Sequence, residues 1–354
     1  MNPMNWGFGK PFPPWMVATL AVFTVFAVTT SVLFPIFEAP DEPSHFLYAR
    51  QIANGHLPIQ TDPERAAHAE GFNPPLYYIL VAPVLIACDP DRGAAIEIRT
   101  SLPEQYALAT AKARHTGDLR PDTGVLPPRN PLFFWWGIGN APNWFTHPPE
   151  GPWAAGPLRA VHAMRLVSVC CGILTVLGVF LGARTCLPDH PAAQLVAVSV
   201  VAFNPQFVYL SGVLNSDNLV TAMATLTLWR IAVVLKGGTA TDGHAIVIGV
   251  LLGGGILAKA NMLFMALPAV VVLWAARTTG AGFLRQVTLM AAVSGLLAGW
   301  FFLRNALLYG NGDFFRLGNP PSPRADFRPA EGIPLGVLYA ALLPGSLLFL
   351  LGAL

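Results

Sequence analysis

The chain has 354 residues, of which 54% are hydrophobic and only 11% are charged, and its formal net charge is +2. Soluble domains carry about twice that charged fraction, so the composition excludes an ordinary soluble domain. The small net charge, without a basic stripe interleaved with aromatic residues, excludes a nucleic-acid-binding protein.

Apolar runs along the chain predict an all-α polytopic membrane protein, because a membrane-spanning helix needs roughly 20 mainly apolar residues. The first predicted span covers residues 15–37, and a long polar outer loop, 38–157, follows it. We expect about eight transmembrane helices in a single domain over residues 1–354. The remaining spans are predicted at 158–182, 192–212, 218–234, 245–257, 263–276, 287–308 and 334–354. The fifth and sixth spans are short and flank Lys259, so they also fit one broken hairpin.

The outer loop contains two segments that are predicted to lie along the membrane surface. Residues 44–54 predict a short helix, with Pro43 in its first turn, Asp41 or Glu42 as its cap and Gly55 as its stop. Residues 79–88 are apolar but too short for a comfortable crossing, which indicates an interfacial or re-entrant helix.

The distribution of Lys and Arg predicts which loops face the cytoplasm. If the amino terminus is cytoplasmic and residues 79–88 do not cross, the inner loops hold Lys10, Arg184, Arg230, Lys236, Arg277 and Arg285. If residues 79–88 did cross, these cationic loops would face outward. The first arrangement collects these polar residues on the outer face: Glu38, Asp41, Glu42, His45, Asn73, Asn215, Asp217, Asn218, Lys259, Arg304 and Asn305.

The acidic pair Asp41 and Glu42 has two open interpretations. The first is helix capping, because acidic groups favour a helix amino terminus. The second is general base catalysis, because a carboxylate at the membrane surface can accept a hydroxyl proton. Asp41 and His45 are four residues apart and, with Asp217, they weakly match a site for a divalent cation.

Asp217, Lys259 and Arg304 carry the remaining chemical signals. Asp217 opens a predicted span, where it fits either a helix cap or a second carboxylate of the same cavity. Lys259 is flanked by apolar residues at membrane depth, where ionisable groups are costly and usually functional, although snorkelling is the alternative. Arg304 lies at an outer boundary against the charge bias. A phosphate would explain it, because the guanidinium fork matches phosphate oxygens, and pairing with a lipid phosphate or Asp313 is the alternative.

Five stretches, in order along the chain, resemble the GT-C fold glycosyltransferases. That superfamily includes the protein mannosyltransferases and the lipid A aminoarabinose transferases, and its bacterial predicted-membrane-protein branch is the most similar. The stretches are EAPDEPSHF at 38–46, NPPLYY at 73–78, NPQF at 204–207 through NSDN at 215–218, LAK at 257–259, and 300–310.

The resemblance implies a mechanism in which a sugar is carried on a polyprenyl phosphate. The acceptor hydroxyl of a glycan, lipid or protein attacks the anomeric carbon at the outer face, with inversion. An acidic residue of the first loop is the base in this family, which maps to Asp41 with Glu42 beside it. Cationic side chains, sometimes with a divalent metal, stabilise the departing phosphate, and Lys259 and Arg304 are the candidates. The other candidate substrate-binding residues are His45, Asn73, Asp217 and Asn305.

Two features depart from the family's pattern. Relatives often carry His where this chain has Asn73, which weakens a metal or proton role at that position. Relatives also continue with more helices beyond the point that matches Leu354, so the chain is expected to be either a short form or truncated at its carboxyl terminus. The expected location is a bacterial inner membrane, with the site facing outward.

Three functions compete on the sequence alone. The first is transfer of a sugar from a polyprenyl-phosphate donor, which requires a base. The second is non-catalytic binding or transport of a polyprenyl-linked glycan, which needs the phosphate contacts but no base. The third is a scaffold of an envelope complex, which needs neither Lys259 nor Arg304.

Overall fold

A computed structural model describes residues 11–34, 36–37, 39, 41–59, 67–94 and 157–309. Within these residues the chain is helical, with no strand. This confirms the predicted all-α polytopic class. The α-helices are α1 Pro14–Leu33, α2 Glu42–Ala53, α3 Leu76–Cys88, α4 Pro157–Cys186, α5 Pro191–Ala202, α6 Pro205–Ser211, α7 Asp217–Gly237, α8 Asp242–Ala258, α9 Ala266–Ala275 and α10 Gly280–Tyr309. Two 3-10 helices, His68–Phe72 and Ala260–Met265, lie between them.

Four of the described helices are long and apolar enough to cross a membrane, namely α1, α4, α7 and α10. They correspond to the first, second, fourth and seventh predicted spans. The count rises to five if the bent pair α5 and α6 is one span. The predicted total of eight is therefore not confirmed, and the predicted span 334–354 lies outside the described residues.

The third predicted span is bent by 59° where α5 meets α6. The Asn204 side chain caps α6 by accepting hydrogen bonds from the backbone N–H groups of Gln206 (2.9 Å) and Phe207 (3.2 Å). Pro205 follows, and a proline has no N–H with which to continue the hydrogen bonds of the preceding helix. The sequence Asn-Pro therefore ends one helix and begins the next.

The fifth and sixth predicted spans are shorter than a full crossing. The helix α8 has 17 residues, and α9 has 10. Lys259 ends α8 in an extended conformation, with φ −160° and ψ 134°, and the 3-10 helix Ala260–Met265 follows. The chain is thus interrupted at the lysine.

The two helices predicted within the outer loop are present as α2 and α3, and their position along the membrane surface stays a prediction. The helix α2 begins at Glu42, two residues before the predicted start, and Gly55 follows it with φ +82°. This positive φ is a conformation that glycine adopts readily, so Gly55 ends the helix as predicted. The helix α3 has 13 residues, and whether it crosses the membrane stays a prediction.

The 30-residue helix α4 is central to the packing, because it contacts α1, α3, α5, α6 and α7. One buried cluster joins α2 and α3 to α4 and α7, and includes Phe46, Tyr48, Tyr77 and Met164. The outer-loop helices therefore pack on each other, and α3 joins them to α4.

Large apolar side chains are exposed along the described helices. The exposed fraction is 61% for Val25, 66% for Val200, 72% for Leu267 and 81% for Leu296. Lipid tails are as apolar as these side chains, so such faces are favourable against a bilayer. These faces agree with an integral membrane protein.

Where helices do meet, glycines permit a close approach. A Cβ added at Gly249 would lie 2.9 Å from the carbonyl oxygen of Met290, and one at Gly253 would lie 2.8 Å from the Cα of Ser294. The Ser294 hydroxyl donates to the carbonyl of Gly249 at 3.0 Å. Small residues and interhelical hydrogen bonds of this kind are typical of membrane helix interfaces.

The chain divides into two compact units, Met1–Gly299 and Trp300–Leu354. The predicted single domain over 1–354 stays a prediction. Asp41, Glu42, His45, Asn73, Asp217 and Lys259 all belong to the first unit.

Candidate active site

Asp41 directly precedes α2 and has a left-handed backbone with φ +62°. Its carbonyl accepts the backbone hydrogen bond of His45 at 3.0 Å, but its carboxylate makes no capping hydrogen bond. Asp41 therefore occupies the predicted cap position, but its side chain does not cap the helix. The left-handed backbone turns the residue out of the helix, and Asp41 is exposed to solvent.

Glu42 is fully buried and forms an ion pair with Arg165, which is also fully buried. The guanidinium donates from Nε to Oε1 and from Nη2 to Oε2, both at 2.7 Å. The backbone N–H groups of Phe37 (2.7 Å) and Leu214 (3.0 Å) donate to the same carboxylate. The Glu42 oxygens are thus surrounded by protein donors, and neither meets solvent.

The other end of the Arg165 guanidinium fixes the end of α1. Its Nη1 donates to the carbonyl of Ser31 at 2.9 Å and to that of Phe34 at 2.6 Å. Carbonyls at a helix carboxyl terminus lack intrahelical partners, so a cation is favourable there. Arg165 and Glu42 therefore join α1, α2, α4 and the segment before α7.

A second polar contact joins α3 to α4 and to the start of α7. The Tyr77 hydroxyl lies 2.6 Å from the Ser168 hydroxyl and accepts from the backbone N–H of Asn215 at 3.1 Å. The Asn215 side chain in turn accepts from the backbone N–H of Asp217 at 2.7 Å. This chain of contacts fixes the segment that carries Asp217.

A buried network surrounds His45. Its Nδ1 lies 2.9 Å from the Tyr78 hydroxyl and 3.7 Å from Oε2 of Glu70, and the Tyr78 hydroxyl donates to the same Glu70 oxygen at 3.2 Å. The Tyr78 hydroxyl therefore links the imidazole of His45 to the carboxyl group of Glu70.

Asn73 holds the 3-10 helix His68–Phe72 in place. Its side-chain amide donates to Glu70, and its carbonyl accepts from the Tyr48 hydroxyl at 2.9 Å. The predicted substrate-binding role of Asn73 is not tested by this geometry, but the amide already has an internal partner. Asn73 thereby orients the Glu70 carboxylate.

The second ion pair of the site joins Asp217 and Lys259. The distance between Nζ of Lys259 and Oδ1 of Asp217 is 2.6 Å. The Asp217 side chain is 49% exposed, and the Lys259 side chain is 27% exposed. The sequence separation is 42 residues. The two positions therefore meet as the predicted outer-face arrangement requires, and unlike Glu42 and Arg165 they remain accessible.

Electrostatic effects on His45 show which charges are near it. Burial lowers the pKa of His45 from its ordinary 6.5 to about 4, with Lys259 acting in the same direction and Asp41, Asp217 and Glu42 acting against it. Burial also raises the pKa of Glu70, opposed in part by Lys259. The imidazole is thus neutral at neutral pH, within a cluster of opposite charges.

Asp41, Asp217 and Lys259 each influence the pKa of His45, and Asp217 and Lys259 are in direct contact. Arg304 and Asn305 belong to the second unit, where Nη1 of Arg304 donates to Oδ1 of Asn305 at 3.2 Å. Their predicted role at the site stays a prediction.

The predicted metal ligands do not form a metal site in this structure. In the part of the chain that is described, no group of three or more His, Cys, Asp or Glu residues has a geometry that could hold a metal ion. Asp217 is paired with Lys259, and Nδ1 of His45 is engaged with Tyr78. The divalent cation therefore stays a prediction.

Sequence reasoning missed Glu70, Ser168 and the roles of Tyr77 and Tyr78. Glu70 lies in a polar loop without periodicity, so only its spacing of three from Asn73 could have indicated a turn contact. The two tyrosines were visible only as part of the Asn-Pro-Pro-Leu-Tyr-Tyr motif, which does not specify what each hydroxyl contacts.

Residues 146–302 match the family model described as dolichyl-phosphate-mannose-protein mannosyltransferase. The matched range contains Arg165, Asp217 and Lys259, whereas α1, α2 and α3 lie before it. The match supports the resemblance to GT-C membrane glycosyltransferases that the motifs indicate. No curated protein and no solved structure matches the chain.

The buried ion pair gives the first testable prediction. Glu42→Gln leaves the buried Arg165 charge without its counter-ion, so we expect a loss of about 3–5 kcal/mol in the free energy of unfolding. The measurement is unfolding of the purified protein in mild detergent, followed by circular dichroism. Arg285→Gln is the control, because it breaks the exposed pair with Asp242 at 2.9 Å and should cost at most about 1 kcal/mol. Equal losses in the two variants would contradict the assignment.

His45 gives a prediction on pH dependence. Because its pKa is lower in the folded protein than the ordinary 6.5, the unfolded chain binds the proton more tightly, and stability falls as pH decreases from 6.5 towards 4. The contribution reaches about 3 kcal/mol at the lower limit. The raised pKa of Glu70 has the opposite effect on stability, so the contribution of His45 is found by comparing a variant with the wild type. His45→Asn should reduce the slope of stability against pH between pH 6.5 and pH 4. The exposed His56, changed to Asn, is the control and should leave the slope as in the wild type.

Proposed function

We propose that the protein is a membrane glycosyltransferase that moves a sugar from a polyprenyl-phosphate donor to an acceptor hydroxyl. The observation that carries this proposal is the accessible Asp217–Lys259 pair. The exposed Asp41 lies next to Glu42, whose carboxylate accepts from the backbone N–H of Leu214, three residues before Asp217. The site offers a cation for a phosphate and a carboxylate for a proton. The family match over residues 146–302 supports the same chemistry.

Lys259 is the candidate contact for the donor phosphate. Its ammonium is partly exposed at the break between α8 and the 3-10 helix, so an anionic group can reach it without unfolding a helix. Asp217 holds the ammonium at 2.6 Å and orients it in the absence of a phosphate. A charge-assisted hydrogen bond from the ammonium to a phosphate oxygen is stronger than one between neutral groups.

Asp41 is the candidate base. Glu42 is excluded from that role because it is buried. Glu42 is surrounded by Arg165 and backbone donors, whereas Asp41 is exposed and makes no capping bond. A general base must reach the proton that it abstracts, which Glu42 cannot do without breaking the buried pair. Glu42 is therefore a positioning residue that fixes the start of α2, and with it the neighbouring Asp41.

The proposed transfer is a single displacement. Asp41 takes the proton of the acceptor hydroxyl as its oxygen forms a bond to the anomeric carbon. The bond from that carbon to the donor phosphate oxygen breaks, and the electron pair leaves with the phosphate. Lys259 stabilises the negative charge that develops on the leaving phosphate. Attack opposite to the leaving group inverts the anomeric configuration.

The orientation of the site is part of the proposal. The inner-loop cations Arg184, Arg230, Lys236, Arg277 and Arg285 favour a cytoplasmic location for their loops, which directs Asp41 and Lys259 outward. We propose a bacterial inner membrane with the site at its outer face. The acceptor is a glycan, lipid or protein, and the sugar is a hexose or a pentose.

The competing function is non-catalytic binding or transport of a polyprenyl-linked glycan. It would use Lys259 in the same way but has no use for a base. Asp41 therefore distinguishes the two functions, whereas Lys259 does not.

The test of the base is Asp41→Asn, which keeps the size of the side chain and removes its proton affinity. We expect transfer to fall about 10²–10⁴-fold, the usual contribution of a general base. The measurement is mass spectrometry of lipids and glycans from cells that lack the gene and carry either the wild type or the variant. Asp189→Asn, in the exposed turn between α4 and α5, is the control.

An unchanged product in Asp41→Asn would remove Asp41 from the mechanism. Movement of lipid-linked sugar across vesicles without its consumption would overturn the enzyme assignment.

Lys259→Met tests the phosphate contact. Because the Asp217–Lys259 pair is partly exposed, its removal should cost at most about 1 kcal/mol in stability. Loss of a charge-assisted contact to the donor should still lower the transfer rate at least about tenfold, since such contacts contribute roughly 1.5–3 kcal/mol. Lys236→Met, at the exposed carboxyl end of α7, is the matched control. A large loss of stability with unchanged transfer would make the lysine structural.

A further inference from the structure

A pocket of about 920 Å³ lies at the end of the first unit opposite to the candidate active site. It is formed by the last turns of α7 and the amino termini of α8 and α10. Arg230 lines it from α7, 13 residues after Asp217, and a helix rises 1.5 Å per residue, so the two lie about 20 Å apart along the helix. The pocket is therefore separate from the candidate site.

The floor of the pocket is polar and buried. Arg230 is 5% exposed, and Gln286 is 4% exposed. The Gln286 amide donates from Nε2 to the carbonyl of Ala240 at 2.9 Å, which leaves Oε1 buried and without a hydrogen-bond partner among the described residues. Oδ1 of Asp242 is likewise buried without such a partner there. Buried polar atoms without partners are uncommon in folded proteins, so these two oxygens indicate a bound group that donates hydrogen bonds.

The charge of the pocket favours an anion near those oxygens. Arg230 and Arg285 bring guanidinium groups, against the single carboxylate of Asp242, which pairs with Arg285 at 2.9 Å. The first turn of α10 contains no acidic residue, and Thr279 begins it by accepting from the backbone N–H of Gly282 at 3.0 Å. Helix amino termini carry a partial positive charge and bind phosphate groups readily.

Part of the pocket lining is apolar. Ile246 is 41% exposed and lies beside Val247 in the lining. An apolar wall together with the guanidinium groups of Arg230 and Arg285 fits an amphiphile, with its chain along the wall and its phosphate at the guanidinium groups. A free phosphate ion would not use the wall.

We propose that this pocket binds the head group of a phospholipid that carries a hydrogen-bond donor beyond its phosphate. The phosphate contacts Arg230 and Arg285. The hydroxyl or ammonium group of the head group donates to Oε1 of Gln286 and Oδ1 of Asp242. This proposal does not rest on the glycosyltransferase function, because it uses neither Asp41 nor Lys259.

The experiment is native mass spectrometry of the full chain released from nanodiscs of defined lipid composition. Phosphatidylglycerol and phosphatidylethanolamine both carry donors, and phosphatidylcholine, which has none in its head group, is the comparison. We expect the two donor-bearing lipids to remain bound at least about fivefold more than phosphatidylcholine, because phosphatidylcholine would leave the two buried oxygens unpaired. Equal retention of all three lipids would overturn the proposal.

Variants separate the two halves of the head group. Gln286→Leu should abolish most of the preference over phosphatidylcholine, and Arg285→Met should weaken retention of every phospholipid. Arg230→Met should also weaken retention of every phospholipid. If Arg230→Met does not fold, because Arg230 is buried, Arg285→Met still tests the phosphate contact. Arg277→Met is the control, because Arg277 is exposed and does not line the pocket, and its lipid retention should stay as in the wild type.

The source of the phosphate is tested in the same measurement. Inorganic phosphate at millimolar concentration should not displace the lipid, because it lacks the apolar chain. Displacement by inorganic phosphate would show that the pocket binds a free anion and would overturn the lipid assignment. Unchanged retention in both arginine variants would show that the bound lipids lie elsewhere on the protein.

Discussion

The buried pair of Glu42 and Arg165 is the interaction on which the rest of the site depends. Two charges without any exposure are costly to bury, and the cost is offset only when both are fully hydrogen-bonded. Here the carboxylate accepts from the guanidinium and from the backbone of Phe37 and Leu214. The guanidinium also donates to the end of α1 at Ser31 and Phe34. One ion pair thus fixes the position of α2 relative to α1, α4 and the start of α7.

The contrast with Asp217 and Lys259 explains why one pair is structural and the other is a candidate for chemistry. Both pairs have short contacts, at 2.7 Å and 2.6 Å. They differ in exposure, which is zero for both members of the first pair and 27–49% in the second. A group from outside the protein can therefore reach Lys259, whereas Arg165 is fully enclosed by its protein partners. The burial that makes Glu42 and Arg165 effective as a support prevents them from binding substrate.

Much of the fold could be predicted from the sequence, because membrane spans are specified by length and apolarity. The helices α1, α4, α7 and α10 follow directly from that signal. The breaks within the helices were less predictable. The 59° bend between α5 and α6 depends on the capping side chain of Asn204, and an Asn-Pro pair in a sequence is equally compatible with an ordinary loop. The charge bias grouped Asp217 with Lys259 across 42 residues, and their contact agrees with it.

The side-chain roles within the site were less accessible to prediction. Asp41 and Glu42 are adjacent acidic residues at a helix start, and only the arrival of Arg165 from α4 distinguishes them. Glu70 and Tyr78 belong to a network that depends on how the outer loop folds back onto α4. The pocket around Gln286 carried no sequence signal at all, because a single glutamine in an apolar helix does not indicate whether its oxygen has a partner.

The candidate functional side chains share one structural position, which is the end of a helix or a break in one. Asp41 precedes α2 with a left-handed backbone, Asp217 begins α7, and Lys259 ends α8 in an extended conformation. Within lipid every backbone polar group must be satisfied internally, so irregular backbone is tolerated only where it is covered by protein or lines a polar cavity. A break at Lys259 would be costly against lipid tails, and its charge would add to that cost. Its pairing with Asp217 supplies a polar partner for the charge at the point where the helix is interrupted, so the break and the ion pair are explained together.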